Sequence, residues 1–174
     1  MANSLGLEAG SVELLPYSSK WAEIFETEAD GLKSVLSNFS VAIEHVGSTA
    51  VPGMVAKPII DIAVSTDLDS SYLGIRKALE IADYVYLLDA GNNGGHIFYK
   101  EIQPKIRSFH LHLIDRQDSQ WRNYLAFRDR LRHDVDKRNQ YMDVKNELAS
   151  AYPHDRDSYT EGKADFISRT IREI

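Results

Sequence analysis

From Asp118 onward the apolar residues recur at spacings of three and four, whereas the first 115 residues interleave strand-like runs with two amphipathic stretches. The early part opens with a short strand at residues 12–15. Ser18 or Ser19 then caps a helix whose Trp21, Ile24, Phe25, Leu32, Val35 and Leu36 share one face. Strands at 41–46 and 58–64 bracket a loop of small residues, and 69–83 reads as a second helix with Leu73, Ile75, Ala78, Leu79 and Ala82 turned inward. Residues 84–88 and 96–100 form a hairpin across Asp89-Ala-Gly-Asn-Asn-Gly-Gly95, whose glycines and asparagines tolerate positive φ, and 108–114 adds a further strand. After Asp118 the period predicts a helix through Trp121, Tyr124, Leu125, Phe127 and Leu131, a second over 135–151, and a last one from Ser158 to the end. Ser158 and Glu161 have the spacing of a capping box. The pattern predicts an α+β fold, a mixed sheet built from the first 115 residues with a helical C-terminal layer. With no internal repeat, linker or low-complexity segment, the 174 residues are assigned to one domain.

Composition narrows the chemistry. Hydrophobic residues make up 43% of the chain and charged residues 26%, as in an ordinary soluble domain. No apolar run approaches the roughly 20 residues that span a bilayer. The N-terminus has no basic segment followed by a hydrophobic one, so a cytoplasmic location and no membrane partner are expected. The absence of cysteine excludes disulfides, thiolate zinc sites and cysteine nucleophiles, leaving six histidines and the carboxylates as metal ligands. A net charge of −6 argues against broad nucleic-acid binding. The charge is uneven, however: residues 1–115 hold 8 Lys and Arg against 15 Asp and Glu, and residues 116–174 hold 12 against 11. The C-terminal third is the source of cations for an otherwise acidic cleft.

The loop after the strand at 41–46 concentrates the candidate chemistry. Gly47 and Ser48 stand where free backbone N–H groups and a hydroxyl can face a phosphate. Asp61 lies among Ile59, Ile60, Ile62 and Val64, where a carboxylate needs a partner or a cation. Lys57, extended before Pro58 and four residues ahead of Asp61, falls on the same side of the strand. His45 and Glu44 point to opposite faces and cannot share a ligand. His110 and His112 share a face, so both can reach a metal or a phosphate, or pair within the sheet. Tyr141 and Lys145, and again Tyr159 and Lys163, stand one helical turn apart, and Arg128 shares a face with Arg132 beside Asp129. These are either solvated faces with rings covering lysine stems or a cationic wall turned toward Gly47 and Ser48.

Residues 43–62, Ile-Glu-His-Val-Gly-Ser-Thr-Ala-Val-Pro-Gly-Met-Val-Ala-Lys-Pro-Ile-Ile-Asp-Ile, resemble the signature of the GrpB family. The likeness continues through Val12-Glu-Leu-Leu-Pro-Tyr, Trp21, His110-Leu-His, Trp121-Arg, Phe127-Arg-Asp, Tyr141, Lys145, Tyr159 and Lys163. It implies a mixed sheet of the nucleotidyltransferase type found in DNA polymerase β. In that superfamily a Gly-Ser turn holds nucleotide phosphates, and two acids spaced Asp-x-Asp or Asp-x-Glu bind magnesium together with a third on a later strand. Gly47, Ser48 and Asp61 match. Ala63 stands where the second acid belongs, and His110 and His112 stand where the third is expected. The resemblance thus implies magnesium or manganese, whereas one carboxylate with two imidazoles suits a transition metal, or no metal.

Two functions follow as expectations. In the first, Asp61 and His112 are catalytic and Asp61, His110 and His112 hold a divalent metal. Gly47, Ser48, Lys57, Arg128, Lys145 and Lys163 then bind the phosphate of a nucleotide or other phosphorylated small molecule. In the second, motivated by the missing acid at Ala63, the fold has lost catalysis and serves as a ligand-binding or protein-partner module; a purely structural partner domain is implied only by the resemblance, through a related domain fused behind dephospho-CoA kinase.

Overall fold

A computed structural model describes residues 5–87 and 95–173. Its sheet holds β1 (Leu7–Glu8), β2 (Ala42–Val46), β3 (Ile60–Thr66), β4 (Val85–Tyr86), β5 (His96–Gln103) and β6 (Ile106–Asp115), in the order β2-β3-β6-β5-β4 with β1 pairing the start of β6. Only β3 and β6 run parallel, so the sheet is mixed. Every residue of β3 except Asp61 is buried, which explains why it reads as a continuous apolar run rather than an alternation.

Two layers cover this sheet. On one face lie α1 (Lys20–Val35) and α2 (Leu68–Ile81). α1 buries Trp21, Phe25, Ala29 and Leu32 at helical spacing, and α2 buries Ile75 and Leu79, both against Ile60, Ile62, Val64, Phe98, Phe109, Leu111 and Leu113. The other face carries α3 (Ser119–His133), whose Trp121, Tyr124 and Leu125 pack on Val46, Ala63 and Ile114. A third cluster joins Val51 and Met54 of the loop to Leu131, Tyr141 and Phe166, which fastens α4 (Val135–Ala151) and α6 (Ala164–Arg172) beside the site. Among the described residues no helix is long and apolar enough to cross a membrane.

The structure departs from the sequence pattern in several places. Residues 12–15 form no strand: the chain ahead of Pro16 makes a single bridge, Leu15 exchanging backbone hydrogen bonds of 2.8 and 3.0 Å with Ala56. The last helix is two, α5 (Arg156–Glu161) and α6, interrupted at Gly162 and Lys163; a Cβ at Gly162 would meet the Leu148 side chain. Asp155 rather than Ser158 opens α5, accepting from the Ser158 backbone N at 3.0 Å and from its hydroxyl at 2.6 Å, so the capping-box spacing misplaced the start. Leu73, expected on the inward side of α2, is 79% exposed, and Val35 of α1 is also at the surface, so the buried stripe of each helix is narrower than its apolar pattern; elsewhere the differences are of extent, β3 beginning at Ile60 and β5 and β6 meeting through a tight turn with Lys105 at φ 68°. The loop of the expected 84–88/96–100 hairpin lies outside the described residues, but its flanks pair as expected, Val85 with Tyr99 and Tyr86 with Phe98.

Candidate functional site

Strand register assembles the site. β2 ends with Val46 opposite Asp61, so Gly47 and the single turn of 3-10 helix at Ser48–Ala50 emerge directly beside the carboxylate. Gly47 has φ 70° and ψ −172°, a conformation that side chains do not tolerate. A Cβ there would also run into Asp61 Oδ2. The parallel pairing sets Asp61 beside His110 and Ala63 beside His112. His110 Nδ1 lies 3.5 Å and His112 Nε2 3.8 Å from the same oxygen, Asp61 Oδ1. Burial pushes the Asp61 carboxyl up, but the two imidazoles outweigh it and hold the group well below the usual carboxylate range. Desolvation lowers His110 despite Asp61 beside it. On the far side of His112, Nδ1 meets the Tyr124 hydroxyl at 3.0 Å. Burial raises that phenol far above its ordinary value, so it stays protonated and shares a hydrogen bond with Nδ1.

Asp61, His110 and His112 therefore do meet, and the partner the carboxylate needs is imidazole. As a magnesium site the donor set does not fit: one carboxylate, two nitrogens and an alanine cannot supply the oxygen octahedron that ion prefers. Among the described residues no three His, Asp or Glu side chains are arranged to hold a metal ion.

The three predicted lysines all lie within electrostatic reach of this carboxylate. Lys57 Nζ lies 4.9 Å and Lys163 Nζ 4.4 Å from the centroid of one ring, Tyr159. Lys145, 2% exposed, donates to the Val55 carbonyl and lies 5.5 Å from the Tyr141 ring. The Tyr–Lys pairs spaced by four thus place aromatic faces against ammonium groups, that of Lys145 buried and that of Lys163 half-buried. Burial, then repulsion from Lys163 and Arg156, lowers Lys57 to about 7. Burial lowers Lys163 to about 8 against the pull of Asp61. Lys145 falls well below its ordinary value through burial and repulsion from Lys163 and Lys57.

Arg128 has a different environment. Its guanidinium donates to Glu44 at 2.7 Å, the His45 carbonyl at 3.0 Å and Asp129 at 2.8 and 3.2 Å, which ties α3 to β2. Arg132 Nε donates to the Ala50 carbonyl at 3.0 Å and so pins the turn to α3. His45 faces the opposite layer, stacked on Phe25 at 4.6 Å with Nε2 3.0 Å from the Thr49 hydroxyl, and burial lowers it to about 4. His45 therefore stays neutral and braces the turn from behind. Sequence reasoning missed Tyr124, read only as a core residue, and missed Arg107 and Arg156, which carry no local signal among the surface charges around them. In the structure Arg156 Nε, Nη1 and Nη2, Arg107 Nε and His110 Nε2 are all buried without a hydrogen-bond partner.

This sheet and its turn define a protein of nucleotidyltransferase-like fold. The poly(U) polymerase Cid1 in its Mg 3′-dATP-bound form has the same fold over 78% of this chain and 43% of its own, with a TM-score of 0.54 at 17% identity. The chain belongs to the GrpB family, whose model, GrpB protein, matches residues 11–173. The crystal structure of GrpB from Enterococcus faecalis superposes with a TM-score of 0.81 at 33% identity, covering 92% of this chain and 96% of that one. A UPF0157 protein of Pseudomonas aeruginosa is 36% identical over 92% of this chain and 66% of its own length. The Glutamate-rich protein GrpB of Alkalihalophilus pseudofirmus is 31% identical over 98% and 99%.

Proposed function

We propose that the protein binds a nucleotide or another phosphorylated small molecule, its phosphate held between the Gly47–Ser48 turn and the ammonium groups of Lys57, Lys145 and Lys163. The observation that carries this reading is a cluster of amines drawn partly out of water: Lys57 and Lys163 flank one ring, Tyr159, at 4.9 and 4.4 Å, Lys145 is buried against Tyr141, and all three lie within electrostatic reach of one carboxylate, Asp61, which the two imidazoles already engage. Buried like charges are costly, and an anionic ligand relieves the cost. Cid1, a neighbour in fold, has been solved with nucleotide bound, as in its MgGTP form, which supports a nucleotide as the ligand class. Arg128 contributes by holding α3 and β2 in register behind the turn.

Ala63 favours binding over a two-metal transfer reaction, because Asp61 has no second carboxylate beside it. In the transfer reading Asp61 and His112 act on the bound phosphate, with Tyr124 fixing the imidazole. A small-molecule ligand and action in the cytoplasm go with either form. Thermal unfolding against a panel of nucleoside phosphates tests the reading: a ligand at 100 times its dissociation constant should stabilise the fold by about 2.7 kcal/mol. Lys163→Gln should abolish that shift. Failure of every phosphate compound to stabilise the protein sinks the proposal. Incubation of the same nucleotides with divalent ions separates the two forms, since product that disappears in Asp61→Ala would establish transfer.

A further inference from the structure

We propose that Arg107 and Arg156 form a second anion subsite beside the lysine wall, so that the ligand carries two separate anionic groups, a phosphate together with a further phosphate or a carboxylate. The inference rests on the phosphate-binding reading and extends it to the class of ligand.

Buried arginine is nearly always paired, since a guanidinium shut off from water without a counter-charge is strongly destabilising. Arg156 at the start of α5 breaks that rule with all three guanidinium nitrogens, and Arg107 on β6 breaks it with Nε. Asp61 and the exposed Asp157 attract Arg156 electrostatically without accepting a hydrogen bond from it, and the other nearby acids are engaged elsewhere. Asp155 caps α5 through Ser158, Glu101 accepts from the Lys105 backbone at 2.8 Å, and Asp61 lies against the two imidazoles. Among the described residues neither arginine makes an ion pair. Their two charges also repel, because Arg107 acts on Arg156 after burial itself has lowered it.

The subsite adjoins the first. Tyr99 stands directly across from His110 in the β5–β6 pair, and the Arg107 guanidinium lies 4.4 Å from the Tyr99 ring centroid. His110 Nε2 is a further polar atom without a partner, on the ring whose Nδ1 faces Asp61. Lysines suit a phosphate as point charges; two guanidinium forks match a second oxyanion, with paired N–H donors against paired oxygens.

Titration calorimetry of the full chain with orthophosphate, pyrophosphate and phosphoglycolate tests this. Arg107→Gln and Arg156→Gln should weaken the two-anion probes by about tenfold, the worth of a charged hydrogen bond, and change orthophosphate less than about twofold. Lys163→Gln should weaken all three. The two-anion probe that loses more identifies the second group as phosphate or carboxylate. Arginine variants that leave both two-anion probes within about twofold, or weaken orthophosphate equally, overturn the inference while the phosphate reading stands. No heat from any probe with the wild-type protein overturns both. Should Arg156→Gln fail to fold by circular dichroism, Arg156→Lys, which keeps the charge without the fork, carries the comparison, and a two-anion affinity equal to wild type would then overturn it.

Discussion

Gly47→Ala strikes the point where backbone conformation and the Asp61 carboxylate meet. At φ 70° and ψ −172° Gly47 occupies a region essentially reserved for glycine, and forcing a side chain into it costs about 1–3 kcal/mol. Contact adds to this. An ideal Cβ would lie 2.9 Å from Asp61 Cβ and 3.0 Å from its Cγ, with Oδ2 nearer still, and Asp61 cannot retreat without leaving His110 and His112. A total of roughly 2–4 kcal/mol is expected, which for a chain of this size lowers the melting temperature by about 5–15 °C. Urea unfolding of the wild type, Gly47→Ala, Asp61→Ala and the double variant separates the two contributions. Removing the carboxylate relieves the Oδ2 and Cγ contacts but not the backbone strain, so a coupling of about 1 kcal/mol should remain in the cycle. Additive effects, or a loss below about 1 kcal/mol for Gly47→Ala, would refute the view that Asp61 dictates the glycine.

Tyr124→Phe should cost about 1 kcal/mol of stability by stripping His112 Nδ1 of its partner, measured by chemical denaturation, and a change near zero would show that the bond is not maintained. His45, lowered to about 4 from an unfolded value near 6.5, binds its proton more readily in the unfolded chain. Its contribution is therefore complete above pH 6.5 and is lost as pH falls toward 4, by about 3 kcal/mol in all, and His45→Gln should remove that part of the slope in urea midpoints taken from pH 7.5 to 4.5. Binding of an anion needs charged lysines. With Lys57 at about 7 and Lys163 at about 8, pyrophosphate affinity should fall as pH rises through that range, with proton uptake visible as buffer-dependent heat; affinity that is flat between pH 6.5 and 8.5 would contradict it.

Local chemistry made much of the frame legible. The apolar runs of β2, β3 and β6, the small residues at 47 and 48, Lys57 before Pro58 and the i,i+4 Tyr–Lys pairs are short-range patterns, and they led to the turn, to Asp61 and to three lysines within electrostatic reach of it. What escaped depends on partners far along the chain. Arg128 looks like any cation beside its neighbour Asp129, and only the fold commits it to Glu44 across 84 positions. Arg156 sits between Asp155 and Asp157, a setting that reads as a solvated surface, yet its guanidinium is buried and unpaired. The split between α5 and α6 falls at Gly162 and Lys163, whose backbone angles stay helical, and β1, at two residues, is too short to leave a period.

Ala63 gives the site a direction in sequence space. Fully buried beneath Trp121, Tyr124 and Leu125 of α3, it does more than omit a carboxylate; its place has been filled from above by apolar side chains. Ala63→Asp alone would set a charge in a dry layer and force α3 outward before any ion could be bound. Recovery of an acid pair in this lineage would demand that α3 be redrawn first, so the sheet's chemistry is locked by the helix that covers it.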